Sequence, residues 1–255
     1  MKKLFKISLG LLIVGLILTA IGFWGHGARD VHFAGPKPVI TKNVSKSLVT
    51  NQHFDRLDIN AATADIRVRT GREFKVSYQG SSALQPKAAI TNQLVTVKQT
   101  QAVYGTIWGS NSSADVITIT VPRGTKLAGT IKTTSGDVTV NGVDLTGVTI
   151  DARDGDVDLR DLTVEGGKAR LESGDFTSRN VTFRGNYFVN NSDGDNEVVD
   201  ARVDGYFLKT PDGDNEIDGA DHDSGQQSAN ENAANLLHLT SEDGDNTIKN
   251  IQAVE

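Results

Sequence analysis

Cysteine is absent from the 255-residue chain, and proline (five residues) and aromatic residues (6%) are scarce. The lack of cysteine excludes a disulfide framework, an Fe–S cluster, a cysteine zinc site, a cysteine nucleophile and a lipidated N-terminal cysteine. Glycine is common, at 26 residues, but the scarcity of proline excludes a collagen-like chain. HExxH and nucleotide-binding glycine motifs are also missing, so the common hydrolase and nucleotide-binding signatures are not present.

Long uncharged hydrophobic runs are equally rare, and the clear example lies at residues 7–24, after Lys2, Lys3 and Lys6. Its 18 residues approach the ~20 that a helix needs to cross a bilayer. Because basic flanks stay in the cytoplasm, we expect a cytoplasmic stub at residues 1–6 and a single-pass cell-membrane protein whose C-terminal domain is extracytoplasmic. A cleaved signal peptide is the alternative, and it would export the same remainder.

Composition divides the exported part into two regions. Residues 25–53 are rich in glycine, proline and polar residues, so we interpret them as a linker to a domain at residues 54–255. Within that domain, residues 185–255 contain three basic and sixteen acidic side chains. Such a segment repels nucleic acid, which we therefore exclude as a partner, and attracts cations or basic partners.

A triplet, SGD or DGD, recurs six times in this domain, and its central glycines are 19, 19, 20, 19 and 31 residues apart. These glycines are Gly136, Gly155, Gly174, Gly194, Gly213 and Gly244. The last gap contains a polar insertion that we interpret as a loop. A fixed period of this length indicates a stacked repeat architecture.

Within each repeat, apolar and polar residues alternate, as in VTV, VDL and VTF, which is typical of half-buried strands. One repeat cannot bury its apolar side alone, whereas stacked repeats enclose a continuous narrow core. The sequence therefore predicts an all-β chain, a single-stack, parallel β-helix-like β-solenoid with coils of about 19 residues, after one transmembrane helix. We assign residues 54–121 to an N-terminal cap and first coils, and residues 122–255 to regular repeats.

The triplets also predict roles for individual residues. We expect each glycine to supply a positive φ at a corner, with the flanking aspartate or serine bonding the turn. Two positions after the glycine, the last three repeats carry Asn196, Asn215 and Asn246, which we expect to form a structural amide ladder. Stacking would also align aspartates ~5 Å apart, a like-charge arrangement that a hard cation would relieve. Calcium is thus a predicted ligand of Asp154, Asp156, Asp193, Asp195, Asp212, Asp214, Asp243 and Asp245.

These units together resemble the bacterial putative-adhesin family. The resemblance covers about residues 54–252 and rests on FDRLDINAATADIRV, FKVSYQG, ITITVPRG and the serial SGDV, DGDV and DGDN units. It implies an extracytoplasmic β-strand-repeat domain without an assigned biochemical function, located in the cell envelope and in some members near envelope-stress signalling components. It implies no catalytic residues. The acidic DGDN units and the insertion near residues 222–232 depart from the pattern, which puts a shared ligand in doubt.

We therefore expect a non-enzymatic, membrane-anchored binding or adhesion protein of the cell envelope. Its partner would be a cell-wall polymer, host matrix or another envelope protein, and no cofactor other than calcium is expected. Carboxylates repeated at turns are a structural pattern, unlike the paired acids of polysaccharide-cleaving enzymes, so we assign no catalytic residue. Two alternatives stay open: an envelope-stress sensing or regulatory protein that acts through a membrane partner, and a calcium-binding structural surface protein.

Overall fold

The structure, a computed structural model, describes residues 2–24, 31–34, 37–40, 42–99, 104–107 and 114–254. It contains one helix, α1 (Lys2–Trp24), followed by strands throughout the described part of the chain. The strands are β1 Val31–Ala34, β2 Lys37–Ile40, β3 Asn43–Thr50, β4 Arg56–Ala61, β5 Asp65–Gly71, β6 Lys75–Ser81, β7 Lys87–Thr91, β8 Leu94–Lys98, β9 Tyr104–Ile107, β10 Val116–Pro122, β11 Lys126–Thr133, β12 Val138–Asn141, β13 Asp144–Asp154, β14 Val157–Ser173, β15 Phe176–Asp193, β16 Asn196–Val199, β17 Gly205–Thr210, β18 Asn215–Ile217, β19 Ala220–His222, β20 Gly225–Ala229, β21 Leu236–Thr240 and β22 Asn246–Lys249. The predicted all-β class with an N-terminal apolar helix is confirmed.

Helix α1 is long and apolar enough to cross a membrane over Phe5–Gly22, and its side chains there are exposed. A signal sequence near an N-terminus has the same character, so the anchor and the signal peptide stay alternatives. The helix begins at Lys2, so the described part of the predicted stub is helical.

The predicted linker at residues 25–53 is wrong for its C-terminal part. Strand β3 pairs antiparallel with β6, with Asn43 opposite Ser81 and Thr50 opposite Lys75. Strands β1 and β2 pair with each other, and β1 pairs with β9, in a separate three-stranded sheet. The linker predicted at residues 25–30, 35–36 and 41 lies outside the described residues. The apolar residues Val44, Leu48 and Val49 do not alternate, because the register shifts between Ser47 and Val49, so the local pattern did not indicate the strand.

The remaining strands form one 19-stranded sheet in which neighbouring coils run parallel. We call each segment from one corner triplet to the next a coil. In the centre of the sheet, Ile150 is the register partner of Ala169, and Ala169 is the register partner of Val189. Each partner lies one repeat further along the sequence. The front face consists of strands in the order β7, β8, β4, β11, β13, β14, β15, β21, β17 and β20. The back face consists of β3, β6, β10, β5, β12, β14, β15, β16, β22, β18 and β19.

Stacking order differs from chain order at both ends of the sheet. Strands β21 and β22, which flank the sixth triplet, lie between the strands of the fourth and fifth triplets. At the N-terminal end, β5 lies between β10 and β12. The serial stacking assumed from the sequence is therefore wrong at these positions. A chain that returns between two earlier strands gains ladder hydrogen bonds on both of its edges.

The insertion before the sixth triplet is ordered, contrary to the loop expected from its polar sequence. Strand β19 pairs antiparallel with β18, and β20 pairs antiparallel with β17. These two short strands cover the outer edges of the last parallel coil. Polar side chains suit this position, because a terminal strand has one face and one edge in water.

Columns of equivalent residues form the core between the two faces. On the front face the column consists of Val97, Ile59, Ile131, Ile150, Ala169, Val189, Leu239 and Leu208. On the back face it consists of Tyr78, Ile117, Ile66, Val138, Val157, Phe176, Asn196, Asn246 and Asn215. All members are buried. Burying one aliphatic side chain contributes roughly 1.5–3 kcal/mol, so each coil depends on the coils above and below it.

Close approach between neighbouring backbones explains the corner glycines better than a positive φ. Only Gly174 (φ 125°) and Gly194 (φ 145°) of the six lie in the left-handed region, so the predicted positive φ is wrong for the other four. A Cβ atom at any of the six would lie 2.2–2.6 Å from a carbonyl oxygen of the adjacent coil. Glycine is therefore required because the corner backbones touch each other.

Replacing Gly155 with alanine tests this explanation. The new Cβ would lie 2.3 Å from the carbonyl oxygen of Gly136, so the two coils must separate and their ladder bonds weaken. We expect Gly155→Ala to lower the free energy of unfolding by about 2–3 kcal/mol, measured by denaturant unfolding of the full chain. The matched control is Ser173→Ala at an exposed position of the next corner, for which we expect a change within about 0.5 kcal/mol. Equal losses in both variants would contradict the close-approach explanation.

Candidate functional site

The third residues of the triplets form the inner aspartate column, which bonds one coil to the next. The backbone N–H of Asp156 donates to Oδ1 of Asp137 at 3.0 Å, and the N–H of Asp175 donates to Oδ1 of Asp156 at 2.9 Å. The same bond continues through the whole column, which consists of Asp65, Asp137, Asp156, Asp175, Asp195, Asp245 and Asp214. The expectation that these carboxylates bond their own turn is wrong, because every one except the terminal Asp214 accepts from the adjacent coil.

This bonding gives the acidic column a structural purpose. A charge-assisted hydrogen bond contributes roughly 1.5–3 kcal/mol, which is more than the ~1 kcal/mol repulsion between like charges ~5 Å apart in water. Two of the turns are closed by threonine, since the N–H of Gly136 donates to Oγ1 of Thr133 and the N–H of Gly213 donates to Oγ1 of Thr210. At these two corners an aspartate bonds the adjacent coil and a threonine closes the turn.

The first residues of the triplets form the outer aspartate column, in the order Ser135, Asp154, Ser173, Asp193, Asp243 and Asp212. Ser173 separates Asp154 from the three consecutive aspartates. All four carboxylates are exposed. Among the described residues, no group of three or more histidine, aspartate or glutamate side chains is arranged to hold a metal ion. Calcium binding by Asp154, Asp156, Asp193, Asp195, Asp212, Asp214, Asp243 and Asp245 therefore stays a prediction.

The asparagines stack in the order 196, 246 and 215. The Asn196 amide donates to Oδ1 of Asn246 at 2.8 Å, and the Asn246 amide donates to Oδ1 of Asn215 at 3.1 Å. Asn246 also donates to the carbonyl of Lys209 at 3.0 Å. All three side chains are buried, so each bond is protected from water. Asn246 lies between the other two because the last coil returns between two earlier ones, which the sequence did not predict.

Where the apolar column changes to asparagine, one acceptor is left unpaired. Asn196 lies directly against Phe176, and its Oδ1 atom is buried without a hydrogen-bond partner. The Tyr187 hydroxyl, in ring contact with Phe176, is also buried without a partner, and burial raises the pKa of that phenol. Unpaired buried polar groups cost roughly 1–3 kcal/mol each, so this boundary is a weak layer of the core.

An aromatic row, Phe188–His238–Phe207, lies on the outer surface of the front face. The rings of Phe188 and His238 are stacked with centroids 4.4 Å apart, and those of Phe207 and His238 are 5.6 Å apart. Partial burial lowers the pKa of His238. The Phe188–His238 pair is stacked and the Phe207–His238 pair is tilted, so the row links adjacent coils through ring contacts.

A basic groove on the back face was not found from the sequence. Its volume is about 450 Å³, and β3, β6, β10 and β5 supply its lining side chains. The polar lining residues are Ser45, Ser77, Gln79, Thr118, Arg67 and Arg69. Alternation in ADIRVRT does indicate that Arg67 and Arg69 share one outward surface. Which strands lie beside them depends on long-range pairing.

Comparison with known proteins becomes informative at this point. Residues 127–249, which include all six corner triplets and the folded-back coil, match the family described as Toastrack DUF4097. The match assigns a Toastrack DUF4097 domain to residues 127–249 alone. The family resemblance seen in the repeats is thereby confirmed. No curated protein sequence matches the chain significantly.

Two solved structures align with most of this chain. A putative cell adhesion protein from Clostridium sporogenes aligns with a TM-score of 0.50 and 14% sequence identity, covering 84% of this chain and 100% of that one. A putative adhesin from Bacteroides fragilis aligns with a TM-score of 0.45 and 17% identity, covering 84% of this chain and 97% of that one. At such identity the first likeness establishes the fold alone.

Asn246→Ala tests the ladder of the Toastrack domain. The change leaves Oδ1 of Asn215 and the carbonyl of Lys209 without their donor, and it removes the acceptor of Asn196. We expect a loss of about 3–4 kcal/mol in the free energy of unfolding, and a loss of about 1–2 kcal/mol for Asn215→Ala, which breaks one ladder bond. Asn190→Ala, an exposed control, should change stability by less than about 0.5 kcal/mol. A smaller loss for Asn246→Ala than for Asn215→Ala would contradict the observed order.

Calcium titration tests the predicted metal ligands. If the aspartate columns hold calcium, millimolar calcium raises the melting temperature of the full chain above the value in magnesium at the same ionic strength. The triple variant Asp193→Asn, Asp212→Asn and Asp243→Asn should abolish the difference, because it removes the contiguous charges of the outer column. Identical melting temperatures in calcium and magnesium would eliminate the site.

Proposed function

We propose that this chain is a non-enzymatic binding protein of the bacterial cell envelope, in which α1 anchors an extracytoplasmic β-solenoid that adheres to a surface partner. The observation that carries the proposal is the in-register parallel stacking of coils on two faces. Such stacking repeats side-chain rows every ~4.8 Å over a long surface, which suits an extended polymer better than a small molecule.

Supporting observations come from the anchor and the comparisons. An apolar helix at the N-terminus fits attachment to a membrane, and the lysines before it fit a cytoplasmic N-terminus. The solved neighbour from Clostridium sporogenes is described as a putative cell adhesion protein, which fits an adhesive role for a domain of this fold. The inner aspartates serve coil-to-coil bonding, which fits a structural use of these carboxylates.

Binding of the full chain to fractionated envelope material tests this proposal. The protein, held in nanodiscs of phosphatidylcholine, should bind a wall or surface fraction saturably, measured by biolayer interferometry against empty nanodiscs. The competing stress-sensing role predicts instead that membrane proteins are captured through α1 while surface fractions are not bound. Loss of the antibiotic-stress response after gene deletion, with surface binding unchanged, would favour the sensor and contradict adhesion.

A further inference from the structure

The basic groove differs from the rest of the domain in its charge. Its arginines lie on β5 near the N-terminal end of the back face, whereas residues 185–255 carry sixteen acidic and three basic side chains. Along the row that contains Arg67, the outward residues towards the C-terminal end include Asp158, Glu197 and Glu216. Arg160, Arg179 and Lys249 of the next row form ion pairs with these acids, so this part of the face is close to neutral. An anionic ligand is therefore attracted mainly to the end that holds the groove.

The two arginines are suitably placed for phosphate. They stand two residues apart on one strand, so their side chains leave the same surface ~7 Å apart. Arg67 is 56% exposed and lies 3.6 Å from the Asp65 carboxylate, which neutralises it in part. Arg69 is exposed and has no ion pair with a carboxylate of the described residues. A guanidinium of this kind presents paired N–H donors that match phosphate oxygens.

Hydroxyl and amide groups complete the groove. Thr118 lies between Ser77 and Arg67 in one row of register partners. In the neighbouring row, Ser45 pairs with Gln79. Four adjacent strands span on the order of 14 Å, which is longer than one phosphate group needs. The volume of about 450 Å³ falls within the range of ligand sites, but the polar lining suits a charged, hydroxylated ligand.

We propose that this groove binds the phosphodiester groups of a polyol-phosphate envelope polymer, which names the partner class of the adhesive function proposed above and rests on it. Arg67 and Arg69 contact the phosphates, and Ser45, Ser77, Thr118 and Gln79 bond the polyol hydroxyls. A phospholipid surface is the weaker occupant. Outside α1, the large apolar side chain that is well exposed in the described residues is Phe188, on the opposite face, so this groove has no apolar wedge for a bilayer.

The test uses the full chain in phosphatidylcholine nanodiscs, titrated with poly(glycerol phosphate) in a calorimeter at low salt. We expect the double variant Arg67→Gln, Arg69→Gln to bind at least ten-fold more weakly and Arg69→Lys to be intermediate. The matched control is Arg160→Gln, Arg179→Gln, which removes two exposed arginines from the row of Arg69 outside the groove. This control should change the affinity less than three-fold. Denaturant unfolding curves of all variants check that each variant is folded.

Several outcomes would overturn the groove assignment. An unchanged affinity in the groove variant, or an equal loss of affinity in the control, would show that the groove arginines do not bind the polymer. Equally tight binding of polyglutamate would show that the groove does not select phosphate. Tighter arginine-dependent binding to phosphatidylglycerol nanodiscs would identify a lipid as the ligand. If the wild-type chain does not bind poly(glycerol phosphate) but binds another envelope fraction, the groove assignment is wrong and the proposed adhesive function is retained. If it binds no envelope fraction, both fail.

Discussion

Contact between corner backbones, coil against coil, sets the geometry on which the rest of this domain depends. Each corner glycine lies against a carbonyl group of the adjacent coil, where a Cβ atom has no room. That approach fixes the parallel register, and the register in turn aligns the apolar columns, the aspartate bonds and the asparagine ladder. A single local constraint, repeated at each corner, therefore determines packing over the whole sheet.

The polar residues of the repeat bond neighbouring coils together and also determine the charge of the surface. Each inner aspartate before the terminal Asp214 uses one oxygen to accept an N–H group from the adjacent coil, so negative charge accumulates as a consequence of bonding coils together. The C-terminal coils also replace the apolar column with asparagine, whose amides bond in series inside the core. Arg160 and Arg179 on the back face form ion pairs with neighbouring acids, whereas Arg69 at the N-terminal end forms none with a carboxylate of the described residues. Attraction for anions is therefore strongest at one end of the back face.

Several features could be predicted because they depend on local pattern. The period of the triplets and the alternation of side chains predicted the strands and their parallel stacking, which the register at Ile131, Ile150 and Ala169 shows. The insertion was mistaken for a loop because edge strands, with one side in water, have the polar composition of loops. Strand β3 was mistaken for linker because its partner β6 lies about 30 residues away in the sequence.

The sequence by itself determined the membrane-helix character of the N-terminus, the all-β class and the residues that face the core, since hydrophobicity and periodicity are properties of neighbouring residues. The tertiary structure alone decided the order of the coils, the central place of Asn246 and the meeting of Arg67 and Arg69 with hydroxyl groups of three other strands. These depend on which edges pair. Pairing is chosen by the total burial and hydrogen bonding of the folded chain, which no short segment encodes.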